Sequence, residues 1–193
     1  MEERGKLASE LLSAQDAPLR AYREQQGNRL VPGEGSPNAR IMFVGEAPGF
    51  HEARQGRPFV GASGKFLDTL LHGVGLRRDD IFITNIVKDR PPDNRAPQKG
   101  EIAFYAPYLD RQIAIVQPSV LVTLGRFAME YIVRQYAPAH KDAKISLVHG
   151  QVLDGQTPYD AIRIVPLFHP AVALYDETKR EVLIEDFKVL EAV

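Results

Sequence analysis

Four side chains in this chain could do chemistry together: Glu46, Phe59, Asn85 and His169. Glu46 follows the apolar run "RIMFVG" at residues 40–45, in a loop that Pro48 stiffens. A carboxylate held there suits the positioning of a water molecule or of positive charge. Phe59, in "RPFVG", is a loop aromatic that can stack on a planar ligand. Asn85 interrupts the β-rich run "FITNIV"; its amide carries a donor and an acceptor side by side, matching the O4/N3–H edge of uracil or thymine. His169, in "PLFHPA", ends a strand-like run, and the proline after it keeps the backbone extended. Its neutral imidazole could donate to a developing oxyanion. Each residue also has a plain structural use: a turn carboxylate, a core plug, a backbone-bonded amide, a satisfied histidine.

The elements that must position them alternate between strand and helix. Strand-like runs cover 40–45, 80–87, 119–125 and 161–168, and "ISLVHGQVL" at 145–153 reads as one more. Between them, Phe66, Leu67, Leu70, Leu71 and Val74 share one helical face, with Gly75 as a stop. Ile102, Tyr105, Leu109, Ile113 and Val116 form a second such face, and "RFAMEYIVRQY" a further helix. A C-terminal helix turns Val182, Phe187 and Leu190 inward. This alternation predicts a three-layer α/β/α sandwich around a mostly parallel central sheet of about four strands. Ligands of such sheets sit at the carboxyl ends of the strands, where all four side chains fall. One domain over residues 1–193 is expected, with 1–35 a helical, then turn-rich leader packed on the core.

Composition narrows the chemistry. The chain has 193 residues and a net charge of −1, with no run of about 18–20 apolar residues for a membrane span. The charged N-terminus lacks a secretory apolar core, so a cytoplasmic location is expected. With no cysteine, disulfides, thiolate metal sites and cysteine nucleophiles are excluded. Residues 50–99 hold nine Lys/Arg against six Asp/Glu, a mild basic bias in the half that carries the Gly/Pro loops. "GASGK" lacks the spacing of a phosphate loop, no G-x-G-x-x-G follows the first strand, and the histidines show no zinc-like spacing.

Taken in order, "GEAPG…GRPFVG", "TNIVK.RPP.NR.P", "VTLGR.A" and "HPA" closely resemble the family 4 uracil-DNA glycosylases of bacteria and archaea, over most of the chain. The resemblance implies that Glu46 activates the hydrolytic water and that His169 stabilises charge on uracil O2. Phe59 would stack on the flipped base, Asn85 would read its edge, and the backbone at Ala47 and Gly49 would line the pocket. It also implies contacts to DNA from Arg90, Asn94 and Arg95, with Ala173 or Leu174 as the wedge. The partner would be uracil-containing DNA, single- or double-stranded, bound by a monomer without membrane association. The loop after "NIVK" holds no histidine, so no covalent link to DNA is expected.

Members of that family carry a [4Fe–4S] cluster on four cysteines; here the corresponding positions are Ala14, Ala17, Asp89 and Tyr105. The resemblance therefore implies an enzyme without the cluster and without any cofactor. Tyr105 is expected to fill the space, and Asp89 to pair with Arg90, Arg95 or an arginine of the leader. Two alternatives share these motifs: a glycosylase for hypoxanthine or xanthine, and a non-catalytic DNA-binding relative. Joint retention of Glu46, Phe59, Asn85 and His169 argues against the second.

Overall fold

The computed structural model of the protein describes residues 2–193; Met1 lies outside it. The leader forms α1 (Glu2–Ser13) and α2 (Arg20–Gln25), followed by the two-residue strand β1 (Glu34–Gly35). Then come β2 (Ile41–Gly45), α3 (Phe50–Gln55), α4 (Ala62–Gly73), β3 (Phe82–Asn85), α5 (Lys99–Val116), β4 (Val120–Leu124) and α6 (Arg126–Tyr136). The chain closes with α7 (Ile145–Val148), β5 (Leu153–Gln156), β6 (Ala161–Leu167) and α8 (Glu177–Phe187).

The sheet order is β1-β3-β2-β4-β6-β5. The four inner strands are mutually parallel, while β1 and β5 pair antiparallel at the edges. The sheet thus has six strands rather than about four. The inner four are the ones apolar runs announce; β1 is too short to leave a pattern, and β5 ("LDGQ") is largely polar because only one face is covered. "ISLV" at 145–148 is a helical turn, not a strand: four apolar residues without flanking alternation fit either state.

Strand side chains alternate, so each inner strand feeds two cores. Met42 and Val44 face the layer of α5 and α6, with Leu109, Ile113, Met129 and Ile132. Ile41 and Phe43 face α4 and α8, with Leu67, Leu71, Leu183 and Phe187. Phe187 at the end of α8 and Leu190 in the turn after it are buried as expected, but the third inward position is Leu183, and Val182 is only half-buried. Because the inner strands are parallel, their carboxyl ends share one edge. In register, Gly45 lies beside Asn85, and Leu124 beside Leu167. The residues just after them, Glu46, Gly125 and His169, are thereby brought together.

The leader is tied to this edge by a buried polar network. Arg23 of α2 donates from one nitrogen to both Asp89 carboxylate oxygens, at 3.1 and 2.9 Å. The Tyr105 hydroxyl of α5 donates to the same carboxylate at 2.7 Å. All three side chains are buried. Burial pushes the Asp89 carboxyl above its ordinary range, against the opposing pull of Tyr105 and Arg23. Tyr105 is fully buried, and of the expected partners of Asp89 it is the leader arginine, Arg23, that pairs with it. Two methyl groups and two oxygens already engaged with each other and with Arg23 do not fit an iron–sulfur cluster. Among the described residues, no group of three or more His, Cys, Asp or Glu is placed to hold a metal ion.

Removing one partner leaves a buried charge uncompensated. Arg23→Ala is expected to cost about 3–5 kcal/mol of stability, because Asp89 stays behind. By contrast Arg111→Ala, which breaks the exposed pair of Arg111 with Glu10, should leave the melting midpoint nearly unchanged. Thermal and urea unfolding of the two variants check the contrast.

Candidate functional site

At the common strand edge lies a cavity of about 290 Å³, lined among others by Glu46, Ala47, Gly49, Phe59, Asn85 and His169. Six of the residues singled out from the sequence therefore meet in one place. Asn94, expected as a contact to DNA, lines it too. A volume at the low end of ligand pockets, roughly 300–1,000 Å³, suits a single planar ring better than a dinucleotide.

Close approach builds this pocket. Asn85 closes β3 and Gly45 closes β2 beside it. A Cβ on Gly45 would stand 2.4 Å from Asn85 Oδ1 and 2.7 Å from Phe59 Cζ, so only glycine lets both side chains sit there. Backbone bonds from Ile86 N to Gly45 O (2.9 Å) and from Val87 N to Glu46 O (3.0 Å) lock the two strand ends together. Beneath them Lys88 is buried, its Nζ donating to Thr84 Oγ1, to Asn85 O and to Gln112 Oε1 at 2.7, 2.6 and 2.6 Å. Burial holds that amine well below its ordinary range, with Asp110 opposing.

Asn85 is 1% exposed, yet its Oδ1 has no hydrogen-bond partner. Among the described residues, two other buried side-chain atoms share this state, on Asn28 and Thr123, but Asn85 is the one of the three that lines the pocket. An unsatisfied buried acceptor costs about 1–3 kcal/mol, which a bound donor would recover. Phe59 adopts φ +51°, unfavourable for a bulky residue. Arg78 holds it there, donating to the carbonyls of Pro58 (3.1 Å) and Phe59 and pairing with Glu34 and Asp68. The Phe59 ring lies against the imidazole of His169, centroids 5.6 Å apart and 28° from parallel.

The electrostatics follow from burial. His169 Nδ1 accepts from Ala171 N at 3.1 Å, which leaves the imidazole proton on Nε2. Burial pushes this imidazole down to about 4, opposed by Glu52, so the ring is neutral near pH 7. Glu46 moves the other way: burial raises its carboxyl, with Arg126 opposing. The pocket thus pairs a neutral N–H donor with a carboxylate of increased basicity.

Sequence reasoning missed Glu52, Ser63 and Ala171 as pocket residues. Glu52 is buried, its Oε1 accepting from the amides of Val60 and Gly61, both at 2.8 Å. A carboxylate one turn into a helix that opens directly at the pocket was the available signal. Among the expected contacts to DNA, Arg95 is committed to Glu101, at 2.9 and 2.6 Å, and that carboxylate also accepts from the amide of Gln98. Ala173 is buried at 5% exposure, whereas Leu174 is 39% and Tyr175 90% exposed. Of the two expected wedge residues, Leu174 is thus the one at the surface, and Ala173 packs in the core.

Comparison with known proteins agrees with the geometry. Residues 32–190 match the family model "Uracil DNA glycosylase superfamily". The type-4 uracil-DNA glycosylase of Sulfurisphaera tokodaii is 44% identical over 189 residues, covering 97% of this chain and 83% of that protein. Its counterpart in Saccharolobus solfataricus is 43% identical over 189 residues, with 97% and 85% covered. A solution NMR structure from Methanosarcina acetivorans superposes with a TM-score of 0.50 at 15% identity, over 84% of this chain and 98% of that one; at such identity the likeness speaks for the fold alone.

The helix under the Phe59 loop offers a direct check. A Cβ on Gly64 would fall 1.9 Å from the Phe59 carbonyl oxygen, a backbone atom that cannot turn aside. Gly64→Ala is expected to cost about 1–3 kcal/mol, as overpacking does. Gly73→Ala in the same helix meets nothing within 4 Å and should be neutral or stabilising. Urea unfolding of both variants compares them.

Proposed function

The chain belongs to the uracil DNA glycosylase superfamily, and on that premise we propose how its pocket works. The protein is a DNA repair glycosylase. It takes uracil out of the base stack and hydrolyses its N-glycosidic bond, leaving an abasic site. The observation that carries the reading is the buried, unpartnered Oδ1 of Asn85, a residue that lines a pocket of one-ring size together with Phe59 and His169.

Asn85 accepts from uracil N3–H and donates to O4. Phe59 and the backbone at Ala47 and Gly49 hold the ring in plane. As the bond between N1 and C1′ breaks, its electron pair passes into the uracil ring. His169 donates its Nε2–H to O2, where the charge gathers, and a neutral donor there avoids the cost of a buried cation. Glu46 orients the water that attacks C1′ and takes its proton. The products are the uracil anion, which takes up a proton from solvent, and the abasic sugar, and Glu46 returns its proton to solvent. Arg90, Asn94 and Leu174 serve contact with the DNA, and the protein works as a monomer without an iron–sulfur cluster.

Uracil-containing oligonucleotides, followed by alkaline cleavage of abasic sites, test the reading. Excision is expected from uracil substrates and not from thymine, hypoxanthine or xanthine ones; no product from uracil would refute it. Glu46→Gln and His169→Ala are each expected to lower kcat by about 10²–10³-fold while DNA binding survives. Unchanged rates would show that the roles are misassigned.

The pH profile separates the two groups. His169, at about 4, stays neutral across the working range, whereas Glu46 must be ionised and titrates above its ordinary 4.5. The acid limb of kcat/KM is therefore expected above pH 4.5, to vanish in Glu46→Gln and to persist in His169→Ala. A limb that disappeared with His169 instead would reverse the assignment.

A further inference from the structure

Beside the pocket lies an exposed aromatic, Phe50, that the proposed reaction leaves unused. Phe50 opens α3 directly after the pocket residue Gly49, yet its ring is 46% exposed. The guanidinium groups of Arg54 and Arg90 each lie 5.4 Å from its centroid. Among the described residues, no carboxylate pairs with either arginine; Arg90 instead donates to Asn94 Oδ1 at 2.7 Å. Asn94 in turn lines the pocket. A continuous strip therefore leads from the pocket mouth through Asn94 and Arg90 to Phe50 and Arg54.

Stability does not account for this arrangement. Two like charges around one exposed ring repel each other, and an exposed cation–π contact returns only about 0.5–1 kcal/mol. Elsewhere on this protein arginines near the surface are mostly matched to carboxylates, as Arg57 is to Glu34 and Arg77 to Asp80. What the strip lacks is an anion and a flat apolar partner. A nucleotide supplies both: phosphate for the guanidinium groups and a base for the ring. Adjacent Cα atoms are about 3.8 Å apart, so the platform lies within reach of the nucleotide next to the extruded one.

We propose that Phe50, flanked by Arg54 and Arg90, is a second nucleotide subsite that stacks on a base flanking the extruded uracil and holds its phosphates. This rests on the reading of the pocket as the uracil site. A base can lie on Phe50 only when it is free of its own neighbours, so the platform favours single-stranded or locally opened DNA over an intact duplex.

Steady-state kinetics on a uracil-containing single strand and on the matching duplex test this. Phe50→Ala is expected to raise the single-strand KM about tenfold, as loss of one stacked base does, with kcat within about twofold and the duplex KM little changed. Phe50→Trp should keep the wild-type KM. Oligonucleotides that end at the uracil on one side or the other locate the contact. One truncation should raise the wild-type KM by a similar factor and leave Phe50→Ala indifferent. Arg54→Gln should reduce the salt slope of single-strand binding by about 0.7. An unchanged single-strand KM for Phe50→Ala, or equal sensitivity of both proteins to truncation, overturns the proposal. If the wild type excised uracil from nothing, the pocket assignment would fall instead. Anisotropy with a uracil-free single strand would then still judge the platform: equal Kd for wild type and Phe50→Ala overturns it.

Discussion

Asp89 sits fully buried just beyond the strand that carries Asn85, and a carboxylate in that position is tolerable only when it is paired. Much else follows from satisfying it. Arg23 comes from the leader and Tyr105 from α5, so meeting the demand of one carboxylate joins three distant stretches of chain at the base of the pocket. Leu11, Leu19, Val87 and Tyr105 pack around this junction, with Ala47 of the pocket wall against them. Next to it, the buried Lys88 amine donates to Thr84, Gln112 and the Asn85 backbone. A network of this kind adds little net stability compared with apolar packing, but it admits few alternative arrangements. Its value here lies in specifying where the strand end is.

That specification supports a pocket holding several unfavourable features at once. Asn85 keeps an acceptor without a partner, Phe59 keeps a left-handed backbone, and His169 is held neutral by burial. Each of the first two costs on the order of 1–3 kcal/mol and persists only because the surroundings over-determine it. Arg78 fixes the Phe59 loop, Glu52 fixes the turn after it, and parallel strand pairing fixes Asn85 beside Gly45. In the proposed reaction the groups that meet the departing base are thus in place before it arrives, which is where electrostatic stabilisation of a leaving anion is most effective.

Much of this was legible in the residues. The inner strands and the helices α4, α5 and α6 announce themselves by apolar periodicity, and Glu46, Asn85 and His169 stand out because polar groups rarely follow buried strands without reason. Other parts leave no local trace. Arg23 lies in a polar stretch, "RAYREQQ", and only the distant Asp89 makes it a buried residue. Glu52 resembles any surface glutamate until the amides of Val60 and Gly61 turn towards it. The edge strands depend on pairing rather than pattern, and "ISLV" has no period long enough to separate helix from strand. Burial of Ala173 beside the exposed Tyr175 is decided by how the turn after His169 seats against the core.

In the proposed reading, the network of Arg23, Asp89 and Tyr105 holds the pocket together without an iron–sulfur cluster. Uracil release per chain, measured on protein from iron-depleted and iron-supplemented cultures, tests it most directly. Equal turnover in both preparations and no absorption near 400 nm in either are expected. Turnover that rises with bound iron, together with that absorption, would contradict it.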